Sequence, residues 1–164
     1  METYKINNQK DLDKFKDSYG YKIDGNAEFY FSADFTGRLY VEGYLYIEAG
    51  RYIKAGRYIE DGEFIKAGEF IKAGRSIEAG EDYGISAGLQ ITCKERLSFG
   101  LKAFAGICTW REITEEEKTI TCGKLEGGTI EYGILKETGL TETDDKTEEA
   151  IALLKKNGYK ITRG

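Results

Sequence analysis

An apolar residue occupies every sixth position of the chain between Ile23 and Ile77 without interruption. The series consists of Ile23, Phe29, Phe35, Val41, Ile47, Ile53, Ile59, Ile65, Ile71 and Ile77. A six-residue repeat matches neither the ~3.6-residue period of an α-helix nor the simple alternation of a half-buried sheet. It is typical of a β-helix, in which each repeat contributes one short strand and one corner and successive coils stack. The pattern therefore predicts a mostly β protein, namely a triangular β-helix (solenoid) of six-residue repeats.

The other positions of the repeat indicate how each strand faces. Glycine follows the apolar residue by three positions, and a smaller residue follows it by two. The smaller residues are Ala49, Ala55, Asp61, Ala67, Ala73 and Ala79. Because alternate residues of a strand share a face, both the apolar and the smaller residues are predicted to point inward, with the turn at glycine. Asp61 is the exception, and its simplest interpretation is a corner aspartate that accepts backbone N–H groups in an Asp-Gly turn.

Three repeats would close a coil of 18 residues, which makes the stacking of side chains predictable. Residues 18 positions apart would lie about 4.8 Å from one another on adjacent coils. This register predicts aromatic stacks of Tyr40 over Tyr58, Tyr46 over Phe64 and Tyr52 over Phe70. It also places like charges together, as in Lys54 over Lys72 and Glu60 over Glu78. The aromatic pairs support an 18-residue register and the like-charge pairs oppose it, so the register is a hypothesis at this point.

The pattern divides the chain into four segments. They are an N-terminal helical cap (1–22), the repeat β-helix (23–100), a C-terminal β module (101–139) and a C-terminal helix and tail (140–164). The cap is predicted from Leu12 and Phe15 at helical spacing within residues 8–18. Strands are predicted at 101–113, 118–124 and 129–136, and the final helix from Thr143. Two extra residues within 81–84 interrupt the repeat and predict a protruding corner loop.

Composition argues against catalysis and against metal binding. The chain has no histidine, which removes the usual general base, the Ser-His and Cys-His nucleophile pairs and most zinc sites. Its three cysteines are widely spaced and form no CxxC pair, so neither a zinc site nor a disulfide framework is predicted. We therefore expect no cofactor, no metal and no enzymatic activity.

The charge and the hydrophobic runs restrict the location and the partners. The net charge of -5 disfavours direct nucleic-acid binding through a basic face. No apolar run approaches the roughly 20 residues of a membrane span, and the charged N-terminus has no signal-peptide core. We expect a soluble, cytoplasmic protein.

The outer surface is therefore the expected place of function. The aromatic residue before each repeat isoleucine points outward, which predicts aromatic columns on more than one face. Such columns either stabilise neighbouring coils by stacking or form an interface, including that of a homodimer. The candidate partner-binding residues are Tyr46, Tyr52, Tyr58, Phe64, Phe70, Glu81, Asp82, Tyr83 and Trp110.

Two parts of the sequence resemble a known kind of protein. The blocks GRYIKAG and GEFIKAG, with the later LKAFAGICTWREITEEEKTITCGKLEGGTIEYGILKETG, resemble hexapeptide-repeat β-helix proteins of phages and mobile elements of Gram-positive bacteria. The resemblance spans about Gly43 to Gly139 and implies no catalytic residues. It implies a setting in which small, acidic proteins often inhibit host defence, as anti-CRISPR proteins do. We therefore expect a non-catalytic, protein-binding inhibitor in the bacterial host cell that acts on a defence nuclease such as a CRISPR effector, by surface occlusion or nucleic-acid mimicry. The alternative is a structural, self-assembling β-helix module.

Overall fold

The chain winds as a parallel β-solenoid, which confirms the predicted fold class. The computed structural model describes residues 1–140, 152–154 and 156–158. Within these residues the strands form three parallel sheets of seven, six and six strands. Sheet A contains β1 (Thr3–Ile6), β3 (Asn26–Phe29), β6 (Leu45–Ile47), β9 (Ile65–Ala67), β12 (Ile85–Ala87), β15 (Lys102–Ala105) and β18 (Thr129–Tyr132). Sheet B contains β2 (Gly20–Ile23), β5 (Arg38–Val41), β8 (Ile59–Asp61), β11 (Ile77–Glu78), β14 (Arg96–Ser98) and β17 (Lys124–Glu126). Sheet C contains β4 (Ala33–Phe35), β7 (Ile53–Ala55), β10 (Ile71–Ala73), β13 (Ile91–Thr92), β16 (Thr119–Cys122) and β19 (Ile134–Glu137).

The repeat isoleucines and alanines fill the interior between the three sheets. From β2 onward, consecutive strands lie in sheets B, A and C in strict rotation. In β7, for example, Ile53 and Ala55 are buried whereas Lys54 between them faces outward. The corner glycines allow neighbouring coils to approach, because a Cβ on Gly62 would lie 1.9 Å from the backbone oxygen of Glu42. The local pattern of inward and outward positions is thus as predicted.

The number of residues between stacked positions of adjacent coils changes along the solenoid. This change cannot be seen in the apolar series, which keeps its six-residue spacing throughout. Residues of β7 pair with residues 18 positions on in β10, as Ile53 does with Ile71. Residues of β6 pair 20 positions on, as Leu45 does with Ile65. The two added residues are in the corner at Ala49–Gly50, where Gly50 has a φ of +72°. Ala49 is exposed and not inward-facing as predicted.

The series continues across this insertion because a strand has two inward positions. Ile47 is the second inward residue of β6, whereas Ile53 is the first inward residue of β7. Tyr40 consequently lies opposite Glu60, and Tyr46 lies opposite Lys66. The predicted stacks of Tyr40 over Tyr58 and of Tyr46 over Phe64 are therefore wrong.

A short helix closes the N-terminal end. Helix α1 (Gln9–Asp13) begins after Asn8, whose side chain accepts a hydrogen bond from the Asp11 N–H. Leu12 is fully buried, and the ring of Phe15 packs edge-on against Tyr4 at 4.9 Å. The predicted helix exists but is shorter than residues 8–18. The same N-terminal segment also supplies β1, which pairs with β3 in sheet A.

The strands after residue 100 continue the three sheets of the repeat. The strand predicted over 101–113 ends at Ala105, and residues 106–118 form a loop that closes with a 3-10 turn at Glu116–Lys118. The segments predicted at 118–124 and 129–136 are each divided by a corner, at Gly123 and Gly133. The predicted start of the final helix at Thr143 lies outside the described residues, among which 152–154 are helical. No helix in the described ranges has the length and apolar character that crossing a membrane requires.

Candidate interaction surfaces on the three outer faces

The outer face of each sheet is a ladder of side chains at strand spacing, because the strands are parallel and pair in register, apart from a bulge between β15 and β18. The face of sheet B carries Lys22, Tyr40, Glu60, Glu78, Ser98 and Glu126 in that order. The face of sheet C carries Asp34, Lys54, Lys72, Thr92, Thr121 and Lys136. Negative charge is therefore concentrated on one face and positive charge on another, within a chain whose net charge is -5.

The acidic residues of sheet B line a shallow groove of about 710 Å³. Glu60, Glu78 and Glu126 contribute from the ladder, and Glu81 contributes from the adjoining corner loop. Within the described part of the chain, no lysine or arginine forms an ion pair with Glu60, Glu78 or Glu81, whereas Glu126 pairs with Arg96 at 3.3 Å. Two carboxylates at the strand spacing of about 4.8 Å repel by about 0.9 kcal/mol in water. A basic partner would relieve this repulsion.

Asp61 lies beside the same groove but adds little negative charge to it at neutral pH. Its Oδ1 accepts a hydrogen bond from the Glu63 N–H at 2.8 Å, which confirms the predicted corner-aspartate geometry. Its Oδ2 is buried and has no hydrogen-bond partner among the described residues. Loss of hydration raises the pKa of Asp61 to about 8. The carboxyl is therefore mostly protonated at pH 7.

The face of sheet C has the opposite character. Lys54 and Lys72 occupy adjacent positions of its ladder, as predicted. Lys54 also forms an ion pair with Asp34 at 3.3 Å, so the negative end of the ladder is neutralised. The division between an acidic and a basic face did not emerge from the sequence, because it depends on which strands share a sheet.

Four aromatic residues form stacks at two corners of the solenoid. Tyr52 and Phe70 stack with ring centroids 4.4 Å apart, as predicted, at the corner between sheets A and C. Phe64 stacks instead on Tyr44 at 5.1 Å, at the corner between sheets B and A. All four rings are half-buried. Their stacking stabilises neighbouring coils, and a role in partner binding stays a prediction.

The remaining column residues contact cations. Tyr58 lies at the third corner, where the guanidinium groups of Arg57 and Arg75 are 5.7 and 5.3 Å from its ring centroid. Tyr46 lies on the face of sheet A, with the Lys66 ammonium 6.0 Å from its ring. The five column candidates thus occupy three corners and one face. The structure brings together only one pair of them, Tyr52 and Phe70, and they do not form one continuous surface.

The candidates outside the columns are more exposed. Glu81, Asp82 and Tyr83 lie in the corner loop before β12, where Tyr83 is 39% exposed. Trp110 is 47% exposed, and its ring lies over Gly88, which directly follows β12. Tyr83 and Trp110 therefore flank sheet A from its two sides at the level of β12.

The loop that carries Trp110 is held by a bidentate ion pair. Arg111 donates two hydrogen bonds to the Glu117 carboxylate at 2.7 and 3.1 Å, and the Thr114 N–H donates a third. These contacts lower the pKa of Glu117 to about 2. Cys93 and Cys122 are inward-facing core residues, and burial raises the pKa of the Cys93 thiol to about 12 and that of the Cys122 thiol to about 11.

Comparison with known proteins adds no identification. No protein-family model matches the chain, and neither a curated protein nor a solved structure matches it. Across the described residues, no group of three or more cysteine, aspartate or glutamate side chains is arranged to hold a metal ion.

Proposed function

We propose that this chain is a non-catalytic, protein-binding inhibitor of a bacterial defence nuclease of the CRISPR effector type. It blocks the nuclease by presenting the acidic face of sheet B to a basic nucleic-acid site. The observation that carries the proposal is the ladder of Glu60 and Glu78, adjacent and without an ion-pair partner among the described residues, next to Glu81 at the rim of the same groove. The resemblance of the repeat blocks to phage-borne proteins supports the setting.

The rigidity of the face supports electrostatic recognition. Both glutamates project from paired parallel strands, so their backbone positions are fixed before a partner arrives. Complementary charge of this kind steers association and selects a basic site over other surfaces. The charge density is well below that of duplex DNA, which carries a phosphate charge every ~1.7 Å of axis. The face therefore matches a few lysine or arginine side chains and not a whole duplex-binding channel.

A cleavage assay with matched charge variants tests the proposal. The nuclease is a purified RNA-guided DNA nuclease from a Gram-positive bacterium, and the readout is the cleavage rate against inhibitor concentration. The test variant is the double substitution E60Q/E78Q, which removes two negative charges from the face of sheet B. The control is K54Q/K72Q, which removes two positive charges at corresponding ladder positions of sheet C.

The expected results separate the two faces. The wild-type chain should slow cleavage, and E60Q/E78Q should need at least about tenfold more protein for the same effect, which corresponds to about 1.4 kcal/mol. The control variant should act within about twofold of the wild type. Equal inhibition by both variants would refute the role of the acidic face. Normal cleavage in the presence of the wild-type chain, together with long assemblies in light scattering, would instead favour the structural module.

A further inference from the structure

Six exposed apolar side chains lie on or beside the C-terminal half of sheet A, and we call them the sheet A patch. Tyr132 belongs to β18, and Ile134 begins β19 of sheet C just after the corner at Gly133. The other four lie in the corners and loops that flank β12 and β15, namely Tyr83, Leu101, Ile107 and Trp110. We propose that the sheet A patch is the interface of a homodimer, occupied by a second copy of this chain. The proposal goes beyond the inhibitory function, because it concerns a different face from the acidic groove.

The backbone brings the patch together from both sides of the sheet. At the corner between sheets B and A, the Leu101 N–H donates to the Tyr83 carbonyl at 2.8 Å. At the opposite corner, the Trp110 ring lies over Gly88. Between the two corners, Phe104 lies opposite Tyr132 of the next strand in the backbone register, just after a bulge in the pairing of β15 with β18. The patch is thus one surface that crosses the sheet.

The area of the patch agrees with what a stable dimer needs. Its six side chains are between 36% and 58% exposed. Applied to roughly 200 Å² for each large side chain, these fractions give an apolar area of about 500 Å². Since about 60% of a typical interface is apolar, the full interface would cover about 800 Å² on each copy. This value is typical of specific complexes and exceeds most crystal contacts.

Charge selects this face for pairing with itself. Two identical surfaces carry the same charge, so the acidic face of sheet B and the basic face of sheet C would each repel a second copy. On the C-terminal half of sheet A the ladder residues Ser86, Phe104 and Tyr132 are uncharged. The charged residues beside them are paired. Lys102 forms an ion pair with Glu131 at 3.1 Å, and Lys118, whose ammonium is 6.0 Å from the Tyr132 ring, forms one with Glu115 at 2.6 Å.

The outward side chains of sheet A also indicate how the two copies are oriented. Toward the N-terminus the sheet carries charged residues, namely Lys5, Glu28 and Lys66. A two-fold axis along the solenoid would place each of these opposite its own copy. A two-fold axis across the solenoid, between Ser86 and Phe104, overlaps only the C-terminal halves and places Lys66 near Tyr132 of the second copy. We infer the antiparallel arrangement, in which both acidic faces remain exposed for a partner.

Sedimentation equilibrium of the full chain between about 1 and 200 µM tests the proposal. The wild type should be a dimer at the upper end of this range, and Phe104→Arg and Tyr132→Arg should each weaken dimerisation by at least about 30-fold. Thr92→Arg is the matched control, since it introduces the same side chain at a ladder position of sheet C. It should dimerise like the wild type. Thermal unfolding of each variant shows that the fold is retained.

A second measurement uses Trp110, the single tryptophan of the chain. Its fluorescence maximum should move to shorter wavelength as the wild type dimerises, because the ring leaves water. Phe104→Arg should abolish this concentration dependence. A wild type that stays monomeric at 200 µM overturns the proposal. A dimer that persists in both arginine variants, with unchanged tryptophan fluorescence, overturns it as well.

Discussion

Replacing Asp61 by alanine is expected to stabilise the protein at neutral pH but not in acid. Asp61 is the second inward residue of β8, and the same position of β7, β9 and β10 holds Ala55, Ala67 and Ala73. Only 5% of its surface is exposed, and its Oδ2 is among the buried atoms without a hydrogen-bond partner in the described residues. The site is therefore shaped for a small uncharged side chain and contains an ionisable one.

The size of the effect follows from the pKa of Asp61 in the two states. Burial raises its pKa to about 8 in the folded protein, whereas an unfolded chain has an aspartate pKa near 3.9. Between these values the folded state holds a proton that the unfolded state has released, so stability falls as the pH rises. At pH 7 the cost is at most about 4 kcal/mol, from ~3 pH units at 1.36 kcal/mol each. Alanine removes this cost and loses the hydrogen bond from the Glu63 N–H, which contributes about 1 kcal/mol.

Urea unfolding of the wild type and of Asp61→Ala at pH 4 and pH 7 measures the difference. We expect the variant to be about 3 kcal/mol more stable at pH 7 and about 1 kcal/mol less stable at pH 4. This pH dependence identifies Asp61 as its source. A carboxyl with a lowered pKa, such as that of Glu117, makes the folded state more stable as the pH rises, which is the opposite direction. Asp82→Ala, at an exposed position, is the control and should show no such pH dependence. An Asp61→Ala effect of the same sign and size at both pH values would refute the reasoning.

Two further predictions test the packing of the coils. Gly62→Ala should destabilise the protein by about 3 kcal/mol or more in urea unfolding, because the added Cβ would lie 1.9 Å from the Glu42 backbone oxygen. Gly50→Ala, with no atom within 4 Å but a φ of +72°, should cost only about 1 kcal/mol, and equal costs would argue against the close approach of the coils. A double-mutant cycle on Tyr52 and Phe70, with leucine at each position, should give a coupling of about 0.5–1.5 kcal/mol for their stacked rings. A coupling near zero would show that the stack contributes nothing beyond burial.

The features that were predictable from the sequence are those that a single repeat determines. The inward isoleucine, the inward alanine and the corner glycine follow from alternation within one strand, and Ile53 and Ala55 are placed as expected. The registers between strands were only partly predictable. Two residues are inserted between β6 and β7. The six-residue apolar series continues across the insertion, because Ile47 is the second inward residue of β6 and Ile53 is the first inward residue of β7. The insertion is therefore invisible in the apolar pattern.

The candidate surfaces were less predictable, because they depend on contacts between distant segments. Tyr83 and Trp110 were identified as exposed aromatic residues, but their positions on either side of sheet A depend on the loop 106–118 folding back over Gly88. The acidic groove combines Glu60 and Glu78 with Glu126, which belongs to a strand outside the regular repeat. The 18-residue spacing predicts Glu60 over Glu78, as observed, but no local signal in the sequence places Glu126 on the same face.

The arrangement of charge on the outer faces does not maximise stability. An in-register parallel stack places the outward residue of one coil directly over that of the next, so alternating charges would stabilise the ladder. The chain has instead Glu60 beside Glu78, at a repulsive cost of about 0.9 kcal/mol in water. It also has Lys54 beside Lys72, where the ion pair of Lys54 with Asp34 offsets part of the repulsion. A fold with alternating charges would be more stable and equally easy to encode in six-residue repeats. Departures from local stability of this kind are typical of functional sites, which is why the acidic ladder of sheet B supports the proposal of a basic partner.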